Sequence, residues 1–151
     1  YYSVYLADYD VTTEITPTER AATFRFTFPK TDSAFVAIDA YDRGSYIKII
    51  PSENKIIGYS SRYARGKLNN FKNYFVIVFD TPFTTTTLWN DKTKININEL
   101  SGSHISSLVH FITKNKNTVI KSTYQFTLVN NIKLIAIHIV YNRFICKDVK
   151  T

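Results

Sequence analysis

Residues 11–29 read VTTEITPTERAATFRFTFP, and this stretch decides the fold class. Its second half alternates strictly, with Phe24, Phe26 and Phe28 on one side and Thr23, Arg25 and Thr27 on the other. That is the period of a strand with one buried and one solvated face. Its first half alternates in the same way, Val11, Thr13 and Ile15 against Thr12, Glu14 and Thr16. Pro17 offers no N–H to a ladder, so Thr16-Pro17-Thr18 breaks the run into strand, corner, strand. Glu19 and Arg20 then stand at the mouth of the second strand, where they are expected to be structural corner residues, each satisfied by a backbone or loop partner.

The whole chain shares this bias. Its 151 residues include 11 Tyr and 11 Phe, with hydrophobic residues at 44% and charged residues at 21%. Aromatic and β-branched residues favour strands, and the length suffices for one domain with a real core. The net charge of +7 is uneven. Residues 1–113 carry 12 Lys and Arg against 11 Asp and Glu, whereas residues 114–151 carry 7 against 1. The basic character is that of a C-terminal segment rather than of a binding surface, which argues against nucleic acid as a partner. Cys146 is single, so neither an internal disulfide nor a cysteine-based zinc site can form. No run of about 18 apolar residues offers a membrane span. The sequence opens on Tyr1-Tyr2 inside an apparent strand, and is expected to be a piece of something longer.

About ten short strands emerge along the chain. Residues 2–6 alternate and lead through Asp8-Tyr9-Asp10, a turn, into the opening stretch. Lys30-Thr31-Asp32-Ser33 reads as a polar turn, residues 35–40 as a strand, and Asp42-Arg43-Gly44 as its breaker. Residues 46–50 and 55–61 flank Pro51-Ser52-Glu53-Asn54 as a hairpin. Residues 62–73 form a long basic surface loop. Residues 74–79, YFVIVF, contain no polar residue and predict a central strand packed on both faces. Residues 83–88 follow, residues 90–103 read as loop, and 105–113 and 119–128 are strands joined by Lys114-Asn115-Lys116-Asn117. This pattern predicts an antiparallel β-sandwich over residues 1–128. Residues 129–151 form an irregular tail whose apolar run, with Ile135, Ile137, Ile139 and Phe144, fits a last strand or a helix equally well.

Catalytic patterns are sparse. Asp8 and Asp10 have the spacing of paired carboxylates, but Asp-x-Asp between two alternating strands is the composition of a hairpin turn. His104, His110 and His138 have no neighbour at ligand spacing, which argues against a metal centre, and His110 reads as a strand residue. No glycine-rich phosphate loop and no Gly-x-Ser-x-Gly elbow occurs. Trp89, followed by Asn90 and Asp91, is the aromatic-plus-polar mixture that stacks on and hydrogen-bonds to a sugar ring. Tyr59, Tyr63 and Arg65 are expected to line the same surface.

Residues 1–40 nonetheless carry a recognisable pattern. Tyr1-Tyr2-Ser3-Val4, the corner from Glu14-Ile15-Thr16 to Thr18-Glu19-Arg20-Ala21, and Phe26-Thr27-Phe28-Pro29-Lys30 resemble the N-terminal domain of the calcium-dependent exo-α-mannosidases of glycoside hydrolase family 92. Ile57-Gly58-Tyr59, Tyr74-Phe75-Val76, Phe79, Pro82-Phe83, Trp89 and residues 119–127 extend the likeness to about residue 128. The resemblance implies a sandwich of the galactose-mutarotase type that forms the sugar-binding side of an active site, in a periplasmic or secreted protein. It implies hydrolysis of terminal α-linked mannose, as in an α-1,2-mannosidase, with inversion and with bound calcium. In that family the two carboxylates lie in a separate helical-barrel domain that this chain does not contain, and earlier N-terminal strands supply further sugar contacts. The resemblance therefore assigns no catalytic residue and no metal ligand here. It implies mannose-containing glycan and the missing catalytic domain as partners. The competing expectation is a free-standing sandwich that binds carbohydrate or protein without enzymatic role.

Overall fold

The computed structural model describes residues 1–19, 21–62 and 71–114, and the backbone course of 118–127 and 136–141. Thirteen strands form among them, and the described helical turns are two short 3₁₀ segments, Ala7–Tyr9 and Pro51–Glu53. The strands are β1 (Tyr2–Leu6), β2 (Val11–Pro17), β3 (Ala21–Phe28), β4 (Thr31–Asp39), β5 (Ser45–Ile50), β6 (Lys55–Ser60) and β7 (Asn73–Phe79). They continue as β8 (Thr85–Asn90), β9 (Thr93–Ile95), β10 (Glu99–Gly102), β11 (Ile105–Thr113), β12 (Thr118–Thr127) and β13 (Ala136–Tyr141). An eight-stranded sheet runs β1-β2-β3-β12-β7-β6-β5-β10, and a five-stranded sheet runs β13-β4-β11-β8-β9. Every ladder is antiparallel. No described helix is long and apolar enough to cross a membrane.

The opening stretch is the hairpin its alternation predicts. Thr13 stands opposite Phe26 and Ile15 opposite Phe24, and Phe26 and Phe28 are fully buried while Thr23 and Arg25 are exposed. The turn is closed by Thr18: its backbone N–H donates to the Ala21 carbonyl at 2.6 Å, and its hydroxyl accepts the Ala21 N–H at 3.0 Å. Glu19 is exposed at the tip of the corner. Arg20 lies outside the described residues. Both predicted aspartate and proline turns form as 3₁₀ turns, ended by Asp10 at φ 52° and Asn54 at φ 49°. Asp10 also accepts the Tyr5 hydroxyl at 3.0 Å, which gives Asp-x-Asp a structural use.

Inward residues of both sheets make one core, with Val11, Phe26, Phe28, Val36, Ile38, Ile47, Ile56, Phe75, Ile77, Leu88, Ile105, Val109 and Phe111 at its centre. Three expectations need correction. β7 is packed on one face: Phe75, Ile77 and Phe79 are buried, but Tyr74 is 46% and Val78 41% exposed. Its apolar outer residues lie against Ile57 and Tyr59 of the neighbouring strand instead of against a second layer. Residues 90–103 hold β9 and β10, which find their partners in β8 and β5. The supposed turn at 30–33 begins β4, because the Thr113 hydroxyl accepts the Thr31 N–H at 2.8 Å and lies 2.7 Å from the Pro29 carbonyl, replacing ladder bonds beside the irregularity between Phe111 and Thr113. In the tail, strand prevails over helix: β13 pairs with β4, as β-branched alternation favours.

Candidate functional site

One end of the five-stranded sheet concentrates strained backbone and polar side chains. Where β4 ends, Tyr41 and Arg43 take left-handed conformations, φ 62° and 71°, and Gly44 follows at φ 100°. Where β8 ends, Asp91 does the same at φ 52°. Non-glycine residues hold such conformations only when their surroundings fix them, and such positions gather at functional sites. Here the surroundings are a network of bonds. The Asp39 carboxylate accepts the Tyr41 N–H at 2.7 Å and lies 2.8 Å from His104 Nε2. Asp91 accepts the Ser103 hydroxyl at 2.7 Å, and its backbone N–H donates to the His104 carbonyl at 2.9 Å. His104 Nδ1 is 3.9 Å from Asp91 Oδ1, so one imidazole stands between a carboxylate at the end of β4 and one in the β8–β9 turn. Ser103 also reaches Asn90 Oδ1 at 3.3 Å, and the Asn90 amide rests on Gly102, where a Cβ would meet it at 2.8 Å.

Trp89 belongs to this end. Register puts Leu88 opposite Ser107, both buried on the core side, so Trp89 and its partner Ser106 face outward. The indole is half-buried and its Nε1–H has no acceptor in the structure. A donor withdrawn from water without an acceptor costs about 1–3 kcal/mol. After β4, the Arg62 guanidinium forms an exposed ion pair with Asp42 at 3.3 Å and sits 4.8 Å from the Tyr41 ring centroid, beside the strained turn.

The other sequence candidates fall elsewhere. Tyr63 and Arg65 lie outside the described residues. Tyr59 is on the outer face of the eight-stranded sheet, the opposite side of the sandwich from Trp89, so the two cannot line one surface. There it stands in register between Tyr46 and Tyr74 with ring centroids 5.5 Å and 5.7 Å apart, and Lys72 Nζ lies 4.3 Å from its ring. Its faces are occupied within the chain. His110 is a strand residue as predicted, its ring 5.5 Å from Phe35, and burial pushes its pKa down. Sequence reasoning missed Asp39, His104 and Ser106, because their partners come from strands dozens of residues away; no local spacing signals them. No set of three or more His, Cys, Asp or Glu among the described residues is arranged to hold a metal ion. Asp39 and Asp91 are already bonded to Tyr41, His104 and Ser103, which leaves nothing like the six to eight oxygens of a calcium shell.

Residues 1–123 match the glycosyl hydrolase family 92 N-terminal domain. The chain belongs to glycosyl hydrolase family 92. Solved structures agree with that membership. The family 92 domain is 25% identical to the inverting mannosidase BT2199 of Bacteroides thetaiotaomicron, with a TM-score of 0.77 over 85% of this chain and 17% of that one. To the α-mannosidase BT3965 of the same organism, solved with mannoimidazole, it is 26% identical, with a TM-score of 0.71 over 85% of this chain and 18% of that one. The hydrolase ccman5 shares the fold at 13% identity and a TM-score of 0.62. No individually curated protein matches. The family 92 domain therefore spans less than a fifth of the length of the two Bacteroides mannosidases.

Proposed function

We propose that this chain is the carbohydrate-facing N-terminal domain of an α-mannosidase, that it touches mannose through Trp89 with Tyr63 and Arg65, and that it does not hydrolyse glycosides by itself. The observation that carries this reading is the position of Trp89, on an outer face beside three left-handed residues and a carboxylate–imidazole network, in a chain of mannosidase ancestry. Two features support incompetence. The carboxylates of Asp39 and Asp91, at this end of the sheet, have the His104 imidazole between them, filling the space in which an inverting enzyme holds its water and glycosidic oxygen. Each is also committed to holding a turn.

Trp89 is the chain's single tryptophan, so its fluorescence reports on this site alone. Titration with methyl α-mannoside should change that emission saturably, with glucose and galactose much weaker, and Trp89→Ala should abolish binding as read by calorimetry. Absence of saturable binding would overturn the sugar contact. Release of mannose from an α-mannoside by the isolated chain with calcium would overturn the claim of incompetence.

A further inference from the structure

The register of the five-stranded sheet aligns four outward residues that lie far apart in sequence. Lys94 of β9 stands opposite Trp89 of β8, Trp89 opposite Ser106 of β11, and Ser106 opposite Asp39 of β4. Directly opposed residues share a face, so the outer surface carries a row of cation, indole, hydroxyl and carboxylate across four strands. Three strand spacings make it roughly 14 Å long. Lys94 is exposed, and Trp89, Ser106 and Asp39 are half-buried. The Asp39 bonds to Tyr41 and His104 both fall on Oδ1.

We infer that this row is a linear carbohydrate site that takes at least a disaccharide. This rests on the reading of Trp89 as a sugar contact and deepens it. A row of this length is longer than one pyranose ring. Its chemistry suits a chain of polyols: an apolar plate for one ring, flanked by an ammonium that donates to hydroxyls on one side and a hydroxyl and a carboxylate that accept from them on the other. Cross-strand packing alone explains why the four residues meet, but it predicts no dependence on sugar length.

The test compares methyl α-mannoside, an α-linked mannobiose and an α-linked mannotriose on the intact chain, followed by calorimetry and by Trp89 emission. The mannobiose should bind at least ten-fold more tightly than the monosaccharide. Lys94→Ala, at an exposed position that leaves folding intact, should remove most of that gain while leaving monosaccharide affinity within two-fold. Equal affinity for all three sugars would overturn the row and leave the Trp89 contact standing. A length-dependent gain that survives Lys94→Ala would overturn the row as drawn, and failure of every sugar to bind would overturn both readings.

Discussion

A methyl group added at Gly58 would meet the Tyr46 carbonyl oxygen at 2.3 Å and the Phe75 ring at 2.5 Å. In a strand interior, replacing glycine by alanine ordinarily gains about 0.5–1 kcal/mol through chain entropy. Here the carbonyl is backbone and Phe75 is buried, so neither can withdraw, and overpacking outweighs the entropy. Gly58→Ala is expected to destabilise by about 3 kcal/mol, measured by urea denaturation. Next to it, burial and the hydrogen bond to Glu99, 2.8 Å away, raise the Tyr46 pKa to about 12. The folded state thus holds this phenolic proton more tightly than the unfolded state does, and the stability it confers is present below pH 10 and is lost as the pH rises toward 12. Tyr46→Phe should therefore lose less stability than the parent between pH 10 and 12 in paired urea melts. Equal losses would show that the Tyr46 hydroxyl is not the group responsible.

At the scale of elements, the strongest dependence on a single side chain is expected in β3. Phe26→Ala should cost about 3–5 kcal/mol, and Phe24→Ala clearly less, since Phe26 is fully buried and Phe24 only half. The pairing of β4 with β11 brings His110 against Phe35. Burial lowers the His110 pKa below 6.5, so the unfolded chain takes up a proton that the folded one resists, and stability should fall as the pH drops from 6.5 toward 5. His110→Gln should flatten that limb of the thermal melting profile. The same elements show what sequence can and cannot convey. β3 was legible because its neighbours β2 and β12 leave one face to water, so that period 2 is written into residues 23–28. β9 and β10 were not, since three and four residues are too short to set a period, and their existence depends on β8 and β5. β7 misled because an all-apolar run signals two-sided burial, whereas its outer residues are half-exposed beside Tyr59 and Ile57.

For the molecule as a whole, the family was readable from the corner and the Phe-x-Phe-x-Phe strand, but the site was not. Trp89 could be picked out as a type of residue, while Lys94, Ser106, Asp39 and His104 became its neighbours only through the register of four strands. The sheet order β3-β12-β7 has a further consequence. Residues 118–127 enter between strands that end at residue 28 and begin at residue 73, and so join the first three strands to the remainder of the large sheet. Until that segment is made, a ribosome-bound chain holds two incomplete half-sheets with open inner edges. Loop closure on this scale is slow, and β-rich folds of such contact order fold in milliseconds to seconds. Assembly of this sheet therefore waits for residue 127, and until then its open inner edges are exposed to aggregation and to the chaperones that prevent it.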